Sequence, residues 1–214
     1  MKISEEKNFV FVHVAKAAGT SISTLVTPYC IDERKKGLLK VLSKSGIVPN
    51  WRRHHYRIHE PLRTVEKRIP KDLYDRLVKF AVVRNPWDRL VSMYHYKKQG
   101  HGRQLGMIKK LGTFSNWLRW MGDLPHSSPY KLQVNMLKQH DGIIGVNHIL
   151  RFESLSEQWN DFSKVIGVEE QLPKLNTSNH NNWREYYSKE DADYVASIWQ
   201  EDIDTLEYQF EMPS

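Results

Sequence analysis

Apolar residues fall into short blocks separated by polar or helix-spaced stretches. The first block is FVFVHV, where Phe9, Val10, Phe11, Val12 and Val14 are apolar and β-prone. A short run of that kind predicts a strand buried on both faces. Small residues follow, from Ala15 to Gly19, and a helix is predicted from Thr20 to about Leu25, continuing to Val26 and ended by Pro28. Asp32 to Lys44 carries Leu38, Leu39 and Leu42 on one face and reads as a short helix. In Trp51 to Glu60 (WRRHHYRIHE), Tyr56 and Ile58 alternate with Arg57 and His59, which predicts a short strand. Pro61 opens a helix to about Arg68, and Asp72 to Leu77 adds another turn.

The second clear buried strand is Lys79 to Val83 (KFAVV). Asn85 is a good N-cap and Pro86 a good first residue for a helix running to about Lys98. Gly100, Gly102 and Gly106 predict a loop. Helices follow over Phe114 to Met121, capped by Thr113, and over Pro129 to Lys138. Asn147 to Phe152 reads as a third strand. Ser154 and Glu157 form a capping box for a helix with Leu155, Trp159, Phe162 and Ile166 inward, closed by Gly167. Ser188 caps the last helical region, where Val195, Ile198, Trp199 and Ile203 face the core. Strands alternating with helices predict one α/β domain over residues 1–214, its central sheet mostly parallel and flanked by helices.

Composition narrows the class. The chain has 214 residues, 40% hydrophobic, enough for a sizeable core and too apolar for disorder. A formal net charge of +7 points to an anionic partner without choosing among nucleotide, acidic glycan, nucleic acid and membrane surface. Cys30 is the only cysteine, so no intrachain disulfide forms. No signal peptide or membrane-length apolar run is visible, and a cytoplasmic location without membrane insertion is the expectation.

The turn after the first strand is an anion site by construction. Backbone N–H groups at a helix start lack partners, and the helix dipole favours negative charge. Lys16 supplies a mobile cation, and Thr20 and Ser21 supply hydroxyl donors. This is not the NTPase loop, whose lysine follows its last glycine; here Lys16 precedes Gly19. A second candidate lies in Lys79 to Lys98, KFAVVRNPWDRLVSMYHYKK. Arg84 stands at a strand's carboxyl end, where open α/β sheets bind ligands. Ser92 lies roughly 10 Å down the next helix, a gap an arginine side chain closes. Arg89 faces either that site or an acid.

The pair FVHVAKAAGTSI and FAVVRNPWDRLVSMY resembles the two cofactor motifs of PAPS-dependent sulfotransferases, where PAPS is 3′-phosphoadenosine 5′-phosphosulfate. The likeness is to the carbohydrate-type branch, the sulfotransferase family 2-like one, whose motifs read FVHxPKTxGTS and FxxVRxPxxRxxSxY. Phe80, Val83, Arg84, Pro86, Arg89, Ser92 and Tyr94 meet every fixed position of the second. RFESLSEQWNDFSKVIGV, LPKLNTS and DIDTLEYQF are similar to later family segments. Ala15 and Ala17 depart from the usual Pro and Thr, removing one hydroxyl near the phosphate.

The resemblance implies a P-loop-like sulfotransferase fold and in-line transfer of a sulfuryl group from PAPS, leaving PAP, to an acceptor hydroxyl, possibly on an anionic carbohydrate. It implies that Lys16, Ala17, Ala18, Gly19, Thr20, Ser21 and Ile22 bind the 5′-phosphosulfate and that Arg84 and Ser92 bind the 3′-phosphate. Lys16 would also meet the charge that grows on the leaving phosphate. A base is required, and His59, after a predicted strand and before Pro61, is the choice, with His54 and His55 as competitors. His55 and His59 have i, i+4 spacing, yet their arginine-rich, extended context argues against a metal. His13 reads as a core or edge histidine, and His95 as a surface residue. Two other classes compete. A basic nucleic-acid-binding module lacks a motif and a clustered basic patch, so no nucleic-acid partner is expected. A P-loop kinase needs the lysine after the glycine.

Overall fold

The predicted apolar runs become the centre of a four-stranded sheet. It is seen in a computed structural model that describes residues 1–31, 51–54, 56–100, 103–172 and 182–210. The strands are β1 (Lys2–Ser4), β2 (Phe9–Val12), β3 (Val78–Val83) and β4 (His148–Arg151), in the spatial order β1-β2-β3-β4. β2 and β3 pair in parallel, with Phe11 opposite Phe80. β3 and β4 also pair in parallel, with Val82 opposite Leu150. β1 runs antiparallel on the edge of β2. The sequence gives no sign of this three-residue strand. Asn8, at φ 51°, turns the chain between it and β2, a left-handed position that asparagine tolerates.

Helices among the described residues are α1 (Gly19–Val26), α2 (Leu62–Glu66), α3 (Lys71–Arg76), α4 (Pro86–Lys98), α5 (Arg103–Leu111), α6 (Phe114–Gly122), α7 (Val134–Leu137), α8 (Leu155–Val165), α9 (Lys189–Ile198) and α10 (Gln200–Leu206). None is long and apolar enough to cross a membrane. The chain divides into two compact units. One comprises Met1–Val83 and Met136–Leu175, and the other Arg84–Asn135 and Asn176–Ser214.

The sheet belongs to the first unit. All of β2 is buried, as a strand covered on both faces requires. Phe80 is the hub of its core. Its ring stacks on Phe11 at 5.0 Å, meets Phe9 edge-on at 5.8 Å and packs on Phe162 of α8 at 4.7 Å. Lys79 is buried in β3 because its ammonium donates to the carbonyls of Tyr74 and Leu77, each at 2.9 Å. The second unit is helical. Asn85 caps α4 as expected, its side chain accepting from Trp87 N–H at 3.1 Å. Tyr187 and Trp87 pin the same helix from outside: the Tyr187 hydroxyl donates to the Trp87 carbonyl at 2.8 Å, and the Trp87 indole to Ala192 at 3.2 Å. Thr113 and Ser188 cap α6 and α9 as the sequence predicts.

Several local expectations give way. Residues 56–59 form no strand; the Arg57 N–H donates to Glu60 at 2.9 Å and its carbonyl accepts from the Met1 nitrogen at 3.2 Å. With those groups engaged, no ladder forms, and Ile58 is left exposed. The expected loop at Gly106 is helical. Ile108 buries its side chain on α5, which offsets the ~1 kcal/mol a mid-helix glycine costs. Only Val134–Leu137 of the expected helix over Pro129 to Lys138 forms, because the Tyr130 and Lys131 carbonyls turn toward the guanidinium of Arg89. Ser154 makes no capping bond; its hydroxyl accepts from Gln158 instead, at 2.8 Å. His95 is half-buried, its Nε2 2.9 Å from the Tyr186 hydroxyl. The expected helix over Asp32 to Lys44, along with His55, lies outside the described residues.

Phe80→Ala removes the ring that three others pack on. It should lower the unfolding free energy by roughly 3–5 kcal/mol, read as a shift of the urea midpoint at constant slope.

Candidate active site

β2 ends at Val12, and the turn that follows is built almost wholly of backbone. Val14, Ala15 and Ala17 are buried, which fixes the path of the chain. Between them Lys16 takes φ 66° and Ala18 φ 54°. Two left-handed residues that are not glycine cost roughly 1–2 kcal/mol each. Such strain persists only where the surroundings impose it. It aims the chain so that α1 starts at Gly19, one residue earlier than predicted. Ala18 occupies the N-cap and has no side-chain oxygen to cap with. The first helical bond runs from Ile22 N–H to the Ala18 carbonyl, at 3.2 Å. The amides of Gly19, Thr20 and Ser21 therefore have no intrahelical acceptor. The Ile22 amide is engaged in that bond and its side chain is buried.

The glycine has a steric cause. A Cβ on Gly19 would stand 1.8 Å from His13 Nε2 and 1.9 Å from His13 Cδ2. The imidazole of His13 thus lies directly on the glycine's α-carbon. Its opposite contacts are Phe11, stacked at 5.7 Å, and His59, edge-on at 4.8 Å. Burial, above all, lowers the His13 pKa to about 3, so the ring is neutral across the physiological range.

His59 is half-buried, and its Nδ1 lies 3.0 Å from the main-chain carbonyl of His13. A carbonyl only accepts, so Nδ1 carries a proton. Nε2 of the neutral ring then holds the lone pair, which is the tautomer a general base needs. His54 is arranged the other way. It is buried, and its Nδ1 accepts from Arg68 at 3.1 Å. An arginine cannot accept, so the His54 lone pair is already engaged there.

In the second unit, Arg84 and Ser92 are both buried. The Arg84 guanidinium grips Asp88 with two parallel bonds, Nε to Oδ2 at 2.7 Å and Nη2 to Oδ1 at 2.9 Å. That fork-to-fork geometry orients the side chain as well as pairing its charge. Arg89 is fully buried and donates to the Lys131 carbonyl at 2.9 Å and to the Tyr130 carbonyl at 3.2 Å. Burial lowers its pKa to about 10, while the Asp202 charge works in the opposite direction. Of the two alternatives, anion site or acid, Arg89 lies in the field of an acid, Asp202, and against main-chain carbonyls.

Sequence reasoning missed His13 as a partner of Gly19 and His59. Their contacts pass through a turn and between distant segments, which no spacing rule reads. It also missed Gln133, whose side chain pairs with the backbone of Arg84.

A family model described as "Sulfotransferase family" matches residues 1–209. The chain is also similar to an uncharacterized protein of Archaeoglobus fulgidus. The two are 28% identical over 125 residues, which span 58% of this chain and 97% of the relative.

Two predictions follow from the His13 contact. Gly19→Ala forces the ring off the cradle and should destabilise by roughly 1–3 kcal/mol, as overpacking does. The His13 and His59 ring resonances should move with it in NMR spectra. The second concerns acid. Unfolded, His13 titrates near 6.5, whereas folded it resists protonation down to about 3. Below pH 6.5 the unfolded chain therefore binds a proton the folded chain refuses, and stability falls as pH drops through that window. His13→Phe keeps the ring and should flatten this part of the stability–pH curve, measured by urea midpoints.

Proposed function

This chain belongs to the sulfotransferase family, and we propose that it moves a sulfuryl group from PAPS to a hydroxyl of a carbohydrate acceptor. The observation that carries this reading is the uncapped start of α1, where the Gly19, Thr20 and Ser21 amides stand behind two left-handed residues. Such a start is shaped for an oxyanion, with donors fixed before any ligand arrives. PAPS, when bound, supplies the sulfuryl group and leaves as PAP.

Lys16, Ala17, Ala18, Gly19, Thr20 and Ser21 hold the 5′-phosphosulfate in this reading, with Ile22 anchoring their turn. Lys16 places its charge where the bridging oxygen becomes anionic. Arg84 and Ser92 hold the 3′-phosphate. His59 takes the proton of the acceptor hydroxyl at Nε2, its Nδ1–H already committed to the His13 carbonyl. Sulfuryl transfer asks for little covalent help, so these residues work by positioning and by charge. The excess of basic residues suits an anionic acceptor.

Ligand binding tests the donor. PAP should raise the melting temperature well above the shift that ATP with magnesium gives, since only PAP carries a 3′-phosphate. Equal shifts would sink the assignment of Arg84 and Ser92. A PAPS-dependent transfer assay against a panel of saccharides, read by mass spectrometry, tests the acceptor.

The catalytic roles separate by kinetics. Lys16→Ala should lower kcat more than it weakens PAP binding, because its charge is wanted mainly in the transition state. His59→Asn keeps a donor for the His13 carbonyl and removes the base. It should lower kcat roughly 10²–10⁴-fold with PAP affinity unchanged. Normal turnover in His59→Asn together with loss in His55→Ala would move the role to His55.

A further inference from the structure

We propose that Gln133 is a positioning residue for Arg84, fixing the arginine's backbone so that its guanidinium is held ready for a 3′-phosphate. This rests on the role given to Arg84 under the proposed function.

Gln133 is fully buried. Its side-chain amide serves one residue twice. Oε1 accepts from the Arg84 N–H at 3.0 Å, and Nε2 donates to the Arg84 carbonyl at 2.8 Å. The exchange is that of a β-ladder, made by a side chain at the residue that follows β3 in the chain. Gln133 is itself tied down. Its own N–H donates to Asp202 Oδ2 at 2.9 Å, and the Val134 N–H donates to Oδ1 at 2.9 Å. Asp202 is fully buried and within the field of Arg89, whose guanidinium holds the Tyr130 and Lys131 carbonyls just before Gln133.

Arg84 is thus held at both ends. Gln133 fixes the backbone, and Asp88 fixes the guanidinium through two bonds. An arginine recognises a phosphate by the direction of its fork as much as by its charge. Holding that direction before the ligand arrives removes an ordering cost from binding. An apolar residue at 133 would take both of these partners from the Arg84 N–H and C=O in a buried setting, where losing a hydrogen bond is costly.

The test is the ratio of affinities for PAP and 5′-AMP, which lacks the 3′-phosphate. It is measured by calorimetry on wild type, Gln133→Met, Arg84→Ala and the double variant. Gln133→Met keeps the volume and loses both bonds. The PAP preference should fall about tenfold in Gln133→Met, the scale of a buried hydrogen bond lost, with AMP affinity unchanged. In the Arg84→Ala background the second change should add nothing to the ratio. If Gln133→Met does not fold, Asp202→Asn, which loosens the same support, should lower the ratio in the same direction. A preserved ratio, or equal loss for both ligands, makes Gln133 an ordinary core residue and overturns the inference. A wild type with no preference for PAP removes the Arg84 premise first, and the inference falls with it.

Discussion

The imidazole of His13 rests on the α-carbon of Gly19 with no space for a methyl group between them. That contact decides the shape of the first unit's turn. His13 directly follows β2 in the chain, so its ring is placed by the sheet, stacked on Phe11. The turn must then come back over the ring, which the left-handed Lys16 and Ala18 allow and the buried Ala15 and Ala17 hold. The helix start, with three amides that have no intrahelical acceptor, is the outcome. His59 joins the same cluster through the His13 carbonyl, so one residue orients both the cradle and the imidazole beside it. The neutral state of His13 matters here. A charge on the His13 ring would be repelled by any charge on the neighbouring His59 ring.

The second unit uses a different device. Its organising group is a buried cation, Arg89, satisfied by main-chain carbonyls and by the field of Asp202. Burying a charge is costly unless every donor finds a partner. Here the requirement bends Tyr130 and Lys131 out of helical geometry and brings Gln133 onto Arg84. Arg89 therefore shapes this unit from within the core, while the buried Arg84 is oriented by its two bonds to Asp88. The turn before α1 is thus shaped by backbone, and the Arg84 region by an oriented side chain.

Much of this was open to sequence reasoning because it is local. β2 and β3 followed from largely apolar runs and β4 from the short NHILRF stretch, and the caps of α4, α6 and α9 from Asn85, Thr113 and Ser188, whose bonds reach only two or three residues along the chain. The strand–turn–helix of the cradle followed from small residues after an apolar block, and the family from two motifs in order. What failed was set by partners remote in sequence. Tyr56 and Ile58 alternate like a strand, but a ladder needs a neighbouring edge, and their backbone was claimed elsewhere. Pro129 to Lys138 has helical spacing, but a buried guanidinium competes for its carbonyls. By itself the sequence determined most of the elements, the excess positive charge and the small-residue turn into α1, since propensity and helix-end electrostatics act over a few residues. Only the tertiary structure decided which histidine keeps its Nε2 lone pair, which arginine turns inward and why residue 19 has no side chain, since each depends on atoms that folding alone brings within hydrogen-bonding or van der Waals reach.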